Sequence, residues 1–340
     1  DALAAGGKAA LARALADIER APDAAATLGL LDEAFARPRG HVVGITGPPG
    51  AGKSTLIGAL VASWRRQGRT VGVLAVDPSS RRSGGALLGD RVRMRALAGD
   101  VGVFVRSMAT RGTSGGLARA AADAVIALDA AGFDRILVET VGAGQNEVDV
   151  AQIAHTVIVV EAPGLGDEVQ AIKAGLLELA DILVVNKADR EGAAQTLSAL
   201  SLVAGAADGV VGGTSSRPSV SGPEHVSPRR PSGASQAAET WRPPLLPTVA
   251  TEGQGLADLL RAIEVHRQYL ASSTVGADRA HKRAEAQLRQ ALDDALSRRL
   301  SEAPMPALIA QLLVRIQARE LTPQDAAEQV LRAMALPPRT

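Results

Sequence analysis

Cysteine is absent from this chain of 340 residues, which excludes a disulfide framework and any thiolate metal site. Aromatic residues are almost absent too. With two Trp, one Tyr and three Phe, the core must be built from Ala, Val, Leu and Ile. No apolar run reaches about 18 residues, the length of a membrane-crossing helix, and no signal peptide is visible, so a soluble cytoplasmic protein is expected. Neither charge is in excess. Lys and Arg number 37 against 36 Asp and Glu, which gives no global pull toward nucleic acid or membrane. The five histidines (His41, His155, His225, His266 and His281) lack ligand spacing and read as ordinary surface or interface residues.

What is present begins with a short apolar strand, Val42 to Ile45, followed by Gly47-Pro48-Pro49-Gly50-Ala51-Gly52-Lys53-Ser54-Thr55 and a helical stretch to Arg66. This is the GxxxxGK[ST] phosphate loop in the strand-then-helix context that the motif requires. Its glycines let backbone N–H groups turn inward onto phosphate oxygens, and the helix N-terminus adds the positive end of its dipole. Lys53 is placed to neutralise β- and γ-phosphates, and the Ser54 hydroxyl to ligate Mg²⁺.

Apolar runs then recur at Val71 to Val76, Val101 to Val105, Ile136 to Val138, Thr156 to Val160 and Ile182 to Val185. Helical stretches such as Leu117 to Ala131 and Glu168 to Leu179 separate them. Fully apolar strands of this kind predict an α/β fold with a mostly parallel sheet covered on both faces, whose ligands bind beyond the carboxyl ends of the strands. Acids stand at those ends or in adjoining loops: Asp77, Asp90 in a glycine-rich stretch, and Glu139 in Glu139-Thr140-Val141-Gly142. With Ser54 they form a candidate Mg²⁺ shell, since Mg²⁺ takes few carboxylates and keeps water for its other positions. Gly142 is placed to offer its N–H to a γ-phosphate.

The base is named by Asn186-Lys187-Ala188-Asp189 after a buried strand. In NKxD the Asp carboxylate accepts two hydrogen bonds from guanine N1–H and the 2-amino group, Lys packs along the base, and Asn braces the loop. Adenine lacks that donor pair, and pairing of this kind discriminates by as much as about 10⁴ to 10⁵. A second base contact is expected from Thr248-Val249-Ala250-Thr251 after the next strand, with the backbone N–H groups of Val249, Ala250 and Thr251 as candidates for guanine O6.

The series GPPGAGKST, AVDPSS, GGALLGDRVRM, ETVGAGQ, PGLGDEVQAIKAG, NKAD and TVAT, in this order, resembles the MeaB/ArgK family of P-loop GTPases over about residues 8 to 200 and 240 to 335. The resemblance implies a homodimeric chaperone of adenosylcobalamin-dependent acyl-CoA mutases, related to the methylmalonic aciduria type A protein. Such a protein binds GTP or GDP with Mg²⁺, gates cofactor loading, and protects or reactivates the mutase. It also implies that Ser54, Asp77, Asp90 and Glu139 hold the metal, and that Gly164 to Lys173 is a segment responsive to nucleotide and mutase. Many small GTPases place a Gln after the DxxG glycine to orient the attacking water. Here that position is Ala143, so hydrolysis is expected to be slow alone and partner-stimulated, with Gln145 or Lys173 supplying the contribution and Lys53 and Glu139 completing the catalytic set.

Three regions follow from this reading. Residues 1–40 form a helical extension read as a packing appendage. Residues 41–271 form the G domain, and residues 272–340 a helical dimerisation region. Within the G domain, the Gly-, Pro- and Ser-rich stretch 203–240 reads as a disordered insertion, with a docking loop as the alternative. In the last region, Ala280, Ala284, Leu288, Leu292, Leu296 and Leu300 recur every four residues, and Thr322-Pro323 marks a helix start. The alternatives are a nickel-chaperone type of metal-insertion GTPase, which should show a Cys or His transfer cluster, and a transport-linked kinase.

Overall fold

The computed structural model describes residues 7–36, 40–77, 99–109, 116–140, 146–164, 178–203 and 241–335. The chain divides into two compact units, Asp1–Ala280 and His281–Thr340. The first opens with helices α1 (Gly7–Arg20) and α2 (Ala25–Phe35). It continues β1 (His41–Thr46), α3 (Lys53–Arg66), β2 (Val71–Asp77), β3 (Val103–Ala109), α4 (Gly116–Ala130), β4 (Arg135–Thr140), α5 (Asn146–Ile153), β5 (Thr156–Glu161), β6 (Ile182–Asn186), α6 (Ala193–Val203), β7 (Leu245–Thr248) and α7 (Leu256–Ser272). Helix α8 (Thr274–Ser301) starts in this unit and runs into the second, which adds α9 (Met305–Gln317) and α10 (Pro323–Ala335).

All seven strands are parallel, in the order β3-β2-β4-β1-β5-β6-β7. Alternate residues of the same strand enter two different cores, which is why the strand sequences are apolar throughout. On one face Val43, Ile45, Leu137, Ile158, Val160 and Val184 pack against Leu56, Ile57 and Leu60 of α3 and Leu259 and Ile263 of α7. On the other, Val42, Val138, Val157 and Val159 meet α1, α4 and α5. Gly44 of β1 has no substitute there, because a β-carbon would overlap the Val150 side chain of α5.

The expected elements are largely present, with three differences. Strand β3 begins at Val103 rather than Val101, and Val101 is exposed. The preceding turn is fixed by Arg65, whose Nε and Nη2 bond Asp100 at 2.9 and 2.8 Å, so pairing starts only afterwards. The preface is more than an appendage: Leu11, Leu15 and Ile18 are buried in the main core, Arg106 pairs with Glu19, and Arg119 pairs with Asp23 at 2.6 Å. Helix α6 follows the NKAD segment where no helix was expected. The expected helix over residues 168–179 falls mainly, and the insertion beyond Val203 entirely, outside the described residues.

His41 and His266 are buried, contrary to their reading as surface residues. They meet at the amino-terminal rim of the sheet, where strands drawn from distant parts of the chain begin. His41 Nε2 lies 2.8 Å from Thr156 Oγ1, which lies 2.8 Å from His266 Nδ1. His266 Nε2 faces Asp181 Oδ1 at 3.3 Å, and the same oxygen accepts from Arg279 of α8 at 2.5 Å. Protons ordered from His41 to Thr156 and from Thr156 to His266 satisfy these two contacts with both rings neutral, while His266 Nε2 makes no hydrogen bond among the described residues. Trp241 covers it, donating from its indole N–H to the Asp181 carbonyl at 2.8 Å and lying 4.6 Å from the His266 ring.

In the second unit Thr322 starts α10 as expected, its Oγ1 accepting from the Asp325 amide at 3.1 Å. Met305, Leu312 and Ala326 are buried, whereas Leu288, Leu292, Leu296, Leu313, Val314 and Leu331 are exposed. Among the described residues no helix is long and apolar enough to cross a membrane.

The rim makes stability depend on pH. Burial lowers the His266 pKa from 6.5 to about 4, outweighing the opposing pull of Asp181, and lowers that of His41 further. Above pH 6.5 both folded and unfolded states hold His266 neutral. As pH falls, the unfolded chain takes up the proton first, so stability is lost between about 6.5 and 4, by roughly 3 kcal/mol from His266. Melting temperature measured across that window should fall in the native protein and fall less steeply in His266→Gln.

Candidate nucleotide site

The carboxyl ends of β1, β4, β5, β6 and β7 converge on one rim, and the predicted nucleotide motifs are there. After Thr46 the chain turns through Gly47, Gly50 and Gly52, at φ of 136°, 82° and 91°, and α3 starts at Lys53. Glycine is required at both ends of this turn. A β-carbon on Gly47 would run into the Val160 carbonyl, and one on Gly52 into the Asn186 side-chain amide. Lys53 is buried, with its ammonium donating to the carbonyls of Gly47 at 2.7 Å and Pro48 at 3.1 Å, so the cation is held at the mouth of the loop. Pro49 and Gly50 are exposed, Ala51 is buried beneath them, and Ser54 and Thr55 occupy the first turn of the helix.

Ser54 Oγ donates to Glu139 Oε1 at 2.8 Å. Glu139 is 2% exposed, on the α3 side of β4, and β2 runs alongside so that Asp77 follows the Val76 and Thr140 rung. Hard oxygen donors facing each other at the start of a phosphate-binding helix suit Mg²⁺. Asp90 lies outside the described residues, as do Gly142, Gln145 and Lys173.

On the base side, Asn186 ends β6 with its side chain buried. Its Nδ2 donates to the Ala51 carbonyl of the phosphate loop at 2.9 Å, while its Oδ1 accepts from Thr248 Oγ1 and the Ala250 amide, each at 3.2 Å. One amide thus ties three segments. Lys187 follows with a positive φ of 57°, a strained conformation for a non-glycine residue, and its Nζ donates to the Gly50 carbonyl at 2.6 Å. Asp189 is exposed, and its carboxylate has no partner among the described residues.

The guanine O6 contact is narrowed by the structure. The Val249 amide donates to the Gln254 carbonyl and the Ala250 amide to Asn186, so both are consumed inside the protein. Of the three, Thr251 is an exposed residue whose amide has no partner among the described residues. Thr248, the first residue of the expected base-contact segment, holds the oxygen of Asn186. One residue escaped the sequence reading: Glu161, a buried acid ending β5 beside the phosphate loop. Glu161 carries the same signal as Glu139, a carboxylate closing an apolar strand.

A family model described as methylmalonyl Co-A mutase-associated GTPase MeaB matches residues 11–305. The chain belongs to the MeaB family. Its relatives include a Pyrococcus abyssi protein with GTPase in its name, 42% identical over 86% of this chain and 82% of its own length. The mouse methylmalonic aciduria type A homolog is 37% identical over 72% of this chain and 53% of its own length, and GTPase ArgK of Escherichia coli is 31% identical over 85% and 80%. A solved LAO/AO transport system kinase matches with a TM-score of 0.64 and 27% identity, covering 98% of this chain and 96% of its own. MeaB membership carries guanine-nucleotide binding and a P-loop NTPase fold with it.

The Asn186 tie gives a direct test. Asn186→Ala would leave the Ala51 carbonyl and the Ala250 amide without their partner, at about 1–3 kcal/mol for a buried group. GTP and GDP affinities, measured by fluorescent-nucleotide titration, should fall together by tenfold or more. Gly52→Ala, strained in backbone and blocked by Asn186, should abolish binding while the circular dichroism spectrum is retained.

Proposed function

We propose that this protein is a GTP-binding and GTP-hydrolysing chaperone that gates adenosylcobalamin loading and protects or reactivates a cobalamin-dependent acyl-CoA mutase of the methylmalonyl-CoA mutase type. The observation that carries the nucleotide half is the Asn186 tie, which puts the guanine motif and the phosphate loop in one site. Support for the mutase half is the description of the matching family and the name of the mouse relative.

In this reading Gly47 to Thr55 cradle the phosphates, Lys53 turns from its loop carbonyls to the β- and γ-phosphates, Asp189 reads guanine N1–H and the 2-amino group, and Thr251 meets O6. Gly142 contacts the γ-phosphate. Ser54 and Glu139, with Asp77 and Asp90, would hold Mg²⁺, whose role when bound is to neutralise charge on the phosphate oxygens. Releasing Glu139 from Ser54 frees both oxygens for that duty. Hydrolysis is slow until a partner reshapes the segments around Gln145 and Lys173, because a γ-phosphate signals only if two states contact it differently. The second unit is the dimerisation region, in a cytoplasmic homodimer. Its exposed leucines at 288, 292 and 296 form an apolar row suited to a second copy. A phosphate-transferring kinase is the second reading, favoured by the name of the solved transport system kinase.

The deciding experiment is phosphate release from GTP by the purified protein, alone and with candidate cobalamin-dependent mutases, with ATP as control. Acceleration by a mutase of at least tenfold, lost in Lys173→Ala, is expected. Equal rates with every mutase would remove the mutase client, and phosphate appearing on an acceptor rather than in water would favour the kinase. Asp189→Asn should weaken GTP and strengthen xanthosine triphosphate, whose extra carbonyl accepts where guanine donates. Sedimentation should give a dimer that Leu292→Glu converts to monomer.

A further inference from the structure

Strands β1 and β4 pair from the His41 and Arg135 rung, through three apolar ones, to Ile45 and Glu139, and each then ends on a threonine. There Thr46, the residue before the phosphate loop, and Thr140, the residue after Glu139, stand side by side on the face opposite Ser54. Thr140 Oγ1 lies 3.1 Å from Thr46 Oγ1. They are 0% and 1% exposed. One hydroxyl proton is spent inside the pair. Replacing both partners of a buried hydrogen bond by apolar groups of the same shape is close to neutral for stability. Stability alone therefore does not require hydroxyls here.

Position supplies the reason. The pair locks the root of the phosphate loop to the end of β4, one residue beyond the carboxylate that receives the Ser54 hydrogen bond on the opposite face. Any drift of β4 along β1 would move Glu139 relative to the loop. Register in a parallel pair is otherwise held by evenly spaced main-chain bonds and apolar contacts, neither of which singles out the last rung.

We propose that Thr140, through its hydroxyl contact with Thr46, is a positioning residue for GTP hydrolysis, setting Glu139 in register with the phosphate loop. This rests on the GTPase reading above. Neither threonine need touch the nucleotide. The role is to remove a small misalignment, and a displacement of about 1 Å at a reacting group is worth as much as about 100-fold in rate.

The test compares Thr140→Val, Thr140→Ser, Thr46→Val and the double valine variant by steady-state GTP hydrolysis, GDP titration and thermal melting. Thr140→Val should lower kcat by tenfold or more, with KM for GTP and affinity for GDP within about twofold, and should raise the Mg²⁺ concentration needed for half-maximal rate. Thr140→Ser, which keeps the hydroxyl and loses the methyl, should restore the native kcat. Thr46→Val should reproduce the loss, and the double variant should be no slower than either single one, since the same contact is removed once. A folded Thr140→Val protein with native kcat, or a serine variant as slow as the valine one, would overturn the proposal while leaving the GTPase reading intact. Native protein without GTP turnover would sink both.

Discussion

The nucleotide end of this molecule hangs on one primary amide. Asn186 has one hydrogen on Ala51 of the phosphate loop and its oxygen on Thr248 and Ala250, so the phosphate loop and both expected base segments share this buried fastening, with Lys187 on Gly50 as an exposed second tie. Each partner of the Asn186 amide is a buried polar group that water cannot reach, which is why the fastening must be complete. Gly52 is part of the same constraint, since its missing β-carbon leaves the space that the Asn186 amide fills. The NKxD asparagine is thus an organiser of the phosphate loop as much as of the base loop.

This arrangement follows from the parallel sheet. Because every strand points the same way, the residues that close β1, β4, β5, β6 and β7 arrive at one rim regardless of their separation in sequence. Ser54 and Glu139 are far apart in the chain, yet the Ile45 and Glu139 rung makes them neighbours. The two faces are differently used at this rim. The Ser54 hydroxyl and the Glu139 carboxylate lie on the α3 side, and paired hydroxyls lie on the other.

The strands and the covered sheet were legible because apolar runs of strand length, punctuated by glycine and helical stretches, admit few other folds. The phosphate loop and NKAD were legible because their chemistry is local: residues within one turn supply the whole function. The buried histidines were not, since His41, Thr156 and His266 belong to three elements and only the register brings them together. The same holds for the amides of Val249 and Ala250, whose availability depends on Gln254 and Asn186 rather than on their own identity. The start of β3 was misplaced because an ion pair between Arg65 and Asp100, invisible to hydropathy, sets where pairing begins.

Trp241 has a consequence for how such a chain can change over time. It sits at the amino-terminal rim, fastened to Asp181, His266 and Tyr269, while α6 before it ends at Val203. The length of β6 and β7 separates this fastening from Asn186 and Thr248 at the nucleotide rim. Each doubling of a flexible connection costs only about 0.6 kcal/mol in closure entropy. A longer connection between two such anchors is consequently cheap, and new sequence can accumulate between them while the Trp241 fastening is kept.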